Sequence, residues 1–154
     1  MKLDCLPPII DDDVRVIILG SFPGEESLKH KQYYANPKNH FWKIMGEVIG
    51  ESLEGLSYNE RKQALLRNHI GLWDAYASCK RTGSLDKNIR DATPNDFFVL
   101  NVPSLRMIFC NGQKAAKVGS LLPKRPIILP STSPASTLSL PEKIKEWMKV
   151  REYL

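Results

Sequence analysis

The sequence is poor in residues that bind metals or build disulfide frameworks. It has three cysteines, Cys5, Cys79 and Cys110, and three histidines, His30, His40 and His69. The cysteines lie far apart without a Cys-x-x-Cys pair, which excludes a four-thiolate zinc or iron–sulfur centre. The histidines lack ligand spacing. The reading is reduced thiols, no metal and no cofactor. No apolar run approaches the roughly 20 residues of a membrane span. No charged-then-apolar leader opens the chain, so a cytoplasmic setting is expected. Repeats, low-complexity tracts and linkers are missing. So are the Gly-x-x-x-x-Gly-Lys-Ser/Thr, Gly-x-Gly-x-x-Gly and Gly-x-Ser-x-Gly patterns. Their absence removes the usual signals of phosphate-loop binding, dinucleotide binding and an α/β-hydrolase nucleophile.

What remains is an ordinary globular composition, 42% hydrophobic and 25% charged over 154 residues. That length suits one domain, read as residues 1–154, able to bury roughly 70% of its unfolded surface without a staple. The net charge of +5 allows either a polyanionic partner or merely a basic surface. Lys29, His30, Lys31 and Lys38 fall in one polar stretch, and Lys80, Arg81, Lys87 and Arg90 in another. The acidic run Asp11–Asp13 precedes the first strand, away from both.

Four short apolar runs predict strands: VRVIIL (14–19), GLWDAY (71–76), RMIFCN (106–111) and PIILPS (126–131). Three of them are nearly continuous in apolar residues, as strands buried on both faces of a parallel sheet are. Helical spacing recurs at Phe41, Trp42, Met45, Val48 and Ile49. Helices are also predicted over 58–68, 94–100 and 113–122, and behind a Ser139–Glu142 capping box. Strands alternating with helices predict an α/β domain with its site beyond the carboxyl ends of the strands.

Four connections therefore matter. Gly20-Ser-Phe-Pro-Gly24 allows a sharp turn or a close backbone approach to a ligand. In Tyr33-Tyr-Ala-Asn-Pro-Lys-Asn-His-Phe-Trp42, Asn39 reads either as a helix cap or as a site residue. The tyrosines offer a flat face suited to stacking on a nucleobase. Residues 77–90 read as a long polar loop whose cations either meet phosphates or are solvated. Asn111 either caps a helix or reads a base edge with its amide. Leu129-Pro-Ser-Thr-Ser-Pro-Ala-Ser136 is a rigid hydroxyl loop, suited to a phosphate backbone or to a simple Ser/Thr turn.

Taken together, Gly20–Ser27, Gln32–Trp42, Gly83-Ser-Leu-Asp86, Asn111-Gly112 and Leu129–Ala135 resemble the uracil-DNA glycosylase superfamily. The branch most similar is the hypoxanthine-DNA (deoxyinosine) glycosylase group, family 6. Mismatch-type uracil glycosylases carry Asn in the first motif, where this chain has Phe22. Other branches carry a catalytic Asp there or a His in the last motif, and this chain has neither. These departures speak against efficient uracil excision.

The resemblance implies a three-layer α/β/α sandwich on a four-stranded parallel sheet. It implies a monofunctional DNA glycosylase that hydrolyses the N-glycosidic bond of hypoxanthine in base excision repair. The substrate would be double-stranded DNA containing a damaged base, and the enzyme a monomer with no membrane association. Asn39 would be the catalytic amide. Tyr34 would stack on the extruded base, with Gly20, Ser21, Phe22 and Asn111 at its edge. Ser131, Thr132, Ser133, Pro134, Ala135 and Ser136 would face the DNA. The rivals are a mismatch-type uracil/thymine glycosylase, a hydrolase or phosphatase of free nucleotides, and a non-catalytic binder of damaged or single-stranded DNA.

Overall fold

Parallel strands covered on both faces need apolar side chains at successive positions. In the computed structural model, which describes residues 1–154, the runs that meet this requirement form the central sheet. The chain order is β1 (Lys2–Asp4), β2 (Val16–Gly20), α1 (Glu25–His30), α2 (Phe41–Ile49), α3 (Tyr58–Arg67), β3 (Ile70–Asp74), β4 (Tyr76–Lys80), β5 (Arg90–Pro94), β6 (Met107–Asn111), α4 (Gln113–Ala116), β7 (Ile127–Leu129) and α5 (Leu140–Trp147). Short 3₁₀ turns occupy Asp86–Asn88, Phe97–Leu100, Gly119–Leu121 and Met148–Tyr153.

The four predicted strands are present as β2, β3, β6 and β7, parallel throughout and ordered β3-β2-β6-β7. Alternation along them divides the core. Val16, Ile18, Ile70, Leu72 and Phe109 face α2, α3 and α5. Ile17, Leu19, Trp73, Ile108 and Cys110 face the opposite way, onto Ala115 of α4, Val118 and the Phe97–Leu100 turn. This second covering layer is lighter than the sequence suggested. The predicted helix over 94–100 is a 3₁₀ turn starting at Phe97, and the one over 113–122 ends at Ala116 before another 3₁₀ turn. A three-stranded antiparallel sheet, ordered β1-β4-β5, completes the layer. Its middle strand begins at Tyr76, the last residue of the predicted run 71–76, and continues into the segment predicted to be a loop, with Ala75 alone separating it from β3.

The helix ends follow local chemistry. Ser139 and Glu142 close the predicted capping box on α5. Ser57 and Glu60 make a second one on α3, with hydrogen bonds of 3.2 and 3.0 Å. No helix is long and apolar enough to cross a membrane.

The sheet order sets the position of the site. The connection after β2 passes to the α2/α3/α5 face, and that after β6 passes to the α4 face. Adjacent strands whose connections diverge open a crevice at their carboxyl ends. Gly20 and Asp74 are register partners there, with Asn111 on the other side of β2 and paired in turn with Leu129.

Candidate active site

A cleft of about 840 Å³ opens at this edge, within the range of sites that take an organic ligand. Its walls carry residues from all the connections the sequence singled out: Gly20–Ser27, Tyr33, Tyr34, Asn39, Asn111 and Ser131–Thr137. Asp74 and the Ser84–Asp86 segment complete it.

Asn39 is half-buried at the mouth of α2. Its Oδ1 accepts the Phe41 backbone N–H at 2.9 Å, so the carboxamide closes a turn across His40, the N-cap residue of α2, and also borders the cleft. That hydrogen bond fixes which end is oxygen. One lone pair of Oδ1 and the whole Nδ2 group make no hydrogen bond within the protein.

Tyr34 adopts a left-handed backbone at φ 54°. One face of its ring stacks on Phe41, with centroids 3.9 Å apart and 15° between planes. That face is therefore spent inside the protein, and only the remaining, partly exposed surface borders the cleft. Burial pushes its phenol pKa above the usual tyrosine range, with Asp74 adding to the shift. Tyr33 is buried and donates to the Pro7 carbonyl at 2.7 Å, so it anchors the connection rather than the ligand.

Asn111 departs from expectation. Its Nδ2 donates to the Tyr34 hydroxyl at 3.2 Å and to Thr132 Oγ1 at 3.0 Å, and its Oδ1 accepts the Thr132 N–H at 3.0 Å. Both amide hydrogens are thus used, which leaves no donor for a base edge. Asn111 braces Tyr34 against the last loop, and the cap position of α4 belongs to Gly112 at φ 90°. Thr132 likewise is buried, tied to Asn111 and to the His40 N–H, and cannot meet DNA directly. Pro134 and Ala135 are the exposed tip of that loop, with Ser131, Ser133 and Ser136 half-buried around them.

The Gly20–Gly24 turn presents backbone, as its glycines suggested. Ser21 is buried and donates from Oγ to Asp86 at 2.6 Å. The Phe22 ring packs into the core beneath the Arg81 guanidinium at 5.4 Å. The Ser21 and Phe22 N–H groups have no partner within the protein. Arg81, a candidate phosphate ligand in the sequence, instead donates to the Gly83 and Pro23 carbonyls and staples this turn to the opposite rim.

The residue that sequence reasoning missed is Asp74. It is buried at the end of β3 and borders the cleft, and its deeply buried Oδ2 has no hydrogen-bond partner. Burial, then the charge of Asp86, push its pKa up to about 7, partly offset by Arg81. Gly20 is required beside it, because a Cβ there would stand 2.5 Å from Asp74 Oδ1 and 2.9 Å from the Tyr34 hydroxyl. The available signal was a lone Asp closing the apolar run GLW. No cluster of three or more His, Cys, Asp or Glu is placed to hold a metal.

Fold and cleft together define an α/β protein whose ligand site lies at the carboxyl edge of a parallel sheet, walled by amides, hydroxyls and a buried carboxyl. The chain belongs to the uracil DNA glycosylase superfamily, whose family model matches residues 7–153. It is 39% identical over 152 residues to a hypoxanthine DNA glycosylase of Methanosarcina barkeri, covering 96% of each chain. A hypoxanthine DNA glycosylase of Methanosarcina acetivorans is 40% identical over 149 residues, covering 94% of each. The solution NMR structure of a Methanosarcina acetivorans protein, described as a candidate uracil DNA glycosylase, superposes with a TM-score of 0.89 at 38% identity, covering 99% of each chain.

Proposed function

We propose that the protein removes hypoxanthine from duplex DNA by hydrolysis of the N-glycosidic bond, working as a single-domain monomer without a cofactor. The observation that carries this reading is Asn39, whose carboxamide is locked at a helix mouth and still has groups free toward the cleft.

A base stacked in a duplex is out of reach, so it turns outward into the cleft at a cost of a few kcal/mol, least where pairing is already weak. The accessible side of Tyr34 supports the purine. The glycosidic bond breaks with its electron pair going to the base, and the sugar becomes positively charged. The free lone pair of Asn39 Oδ1 accepts a hydrogen from water and holds it beneath the sugar. Such positioning is worth several kcal/mol without a strong base. The water oxygen bonds to the sugar carbon and gives up a proton, while the departing base takes one from solvent. Asp86 supplies negative charge near the sugar cation.

Departure of the base as an anion calls for donors aimed at it. The unpartnered Ser21 and Phe22 N–H groups serve there. Asp74 serves in its neutral form. Its protonated carboxyl donates through Oδ1, the oxygen beside Gly20, to the hypoxanthine oxygen where charge collects. A carboxylic acid kept neutral by an apolar site is a known donor to developing anions. Pro134 and Ala135 press on the DNA backbone from the last loop.

A nucleotide phosphatase fits less well. The cleft contains Glu25, Glu26 and Asp86 against one lysine, Lys38, which repels a phosphate cluster and favours a cationic sugar. Incubating the protein with duplexes carrying inosine, uracil, xanthine or ethenoadenine, followed by hot alkali, tests the reading. Strand breaks at inosine are expected. Intact strands with every lesion, or hydrolysis of free nucleotides instead, would reject it.

A further inference from the structure

The most heavily buried cation in the protein lies behind the cleft and plays no part in the chemistry above. Lys143 of α5 is 1% exposed, although it sits on a short helix with a solvated face. Its Nζ donates to the Ser133 carbonyl at 3.3 Å and lies 3.3 Å from His40 Nδ1. No carboxylate pairs with it. Glu142 and Glu146, the acids of the same helix, are bonded at the surface to Ser139 and Lys149. Burying an ammonium without a counter-ion is costly, and an apolar side chain would fill the space more cheaply.

The two groups it bridges belong to two connections that line the cleft, one through Asn39 and the other through Ser131–Thr137. Ser133 is in the DNA-facing loop. His40 directly follows Asn39 and opens α2, and its own N–H donates to the Thr132 carbonyl at 3.0 Å. The same helix holds the start of that loop through Trp147 Nε1 on the Pro130 carbonyl at 2.9 Å. We propose that Lys143 is a positioning residue that fixes the Asn39 wall against the last loop, through a contact that exists only while His40 Nδ1 is unprotonated. This rests on the excision reading.

Protonating His40 at Nδ1 would replace an acceptor with a second cation. Burial, Lys143 from α5 and Lys43 from α2 all pull the His40 pKa below its usual value, and the last loop has no acid to oppose them. Lys143 is pulled down by burial as well. The contact is therefore intact at neutral pH and is lost on acidification below the usual histidine range.

The test compares wild type, Lys143→Met and His40→Gln on an inosine duplex. Gln keeps an acceptor for Nζ but does not titrate. Lys143→Met is expected to slow single-turnover excision 10- to 100-fold at neutral pH. Its KM should change less than threefold and its melting temperature should be equal or higher. His40→Gln should keep most of the rate and lose the acid limb of the wild-type profile. By NMR, the His40 titration midpoint should rise in Lys143→Met. A wild-type rate in Lys143→Met, or a rate loss that merely tracks a lowered melting temperature, overturns the proposal while excision stands. A wild type that releases no hypoxanthine overturns the excision reading, and this proposal with it.

Discussion

At the residue scale, the site rests on three groups that sequence made visible to different degrees. Asn39 stood out because a helix start was evident there; in the structure it lies one residue before the N-cap His40, accepts the Phe41 N–H and borders the cleft. Asn39→Ala should cost about 1 kcal/mol of stability through the lost hydrogen bond to the Phe41 N–H and should slow excision by roughly 100-fold or more. Asn39→Asp retains the acceptor for the Phe41 N–H and should keep part of the rate, and the two rates measured beside thermal melts separate the structural from the catalytic role. Asp74 was not legible, since a residue ending an apolar strand reads as part of it until Gly20 and Tyr34 are placed alongside. Its consequences follow from a proton held to about pH 7 in the fold and released near 3.8 when unfolded. The stability it contributes is full below the unfolded value, falls as pH rises toward 7 and is lost above. The loss amounts to as much as roughly 4 kcal/mol. Asp74→Asn should therefore melt several degrees higher than wild type at pH 8 and little differently at pH 4. Wild-type excision should fall as pH rises beyond about 7, while Asp74→Asn, whose amide mimics the neutral acid, should be flat there. A wild-type profile rising through the same range would contradict the neutral-acid role. Gly20→Ala, read by excision rate, should lose at least tenfold, because the added methyl meets Asp74 and Tyr34.

At the element scale, the parallel strands were readable to within two residues, because burial on both faces leaves a continuous apolar signature. The antiparallel sheet was not. β5 is largely exposed and polar, ends in Pro94, and pairs with β4 through register shifts, so it carries no clean alternation. The short helices on that side failed for a related reason. Gly112 and Gly119 punctuate the segment, and 3₁₀ turns suffice to cover Ile108 and Cys110. Helix α5 is the element whose integrity most affects the site, because it grips the last loop at Pro130 and Ser133. Ser139→Ala removes its cap and should cost about 1 kcal/mol, a melting shift of roughly 3 °C. Faster amide exchange in residues 131–136 is expected with it. Exchange unchanged in that loop would show that α5 does not hold it.

At the scale of the whole molecule, a basic chain carries an acidic cleft. The exposed Lys29, Lys31 and Lys87 lie in the segments that border it, while Glu25, Glu26 and Asp86 line it. This division suits a polyanion held outside and a cation formed within. The most direct measurement is single-turnover release of hypoxanthine from an inosine duplex by wild type and Asn39→Ala, with duplex affinity measured separately for each. The expected result is wild-type cleavage to an abasic site, and an Asn39→Ala protein that binds the same duplex equally well yet releases base at least 100-fold more slowly. Equal rates for the two proteins, or no release by wild type, would contradict the account.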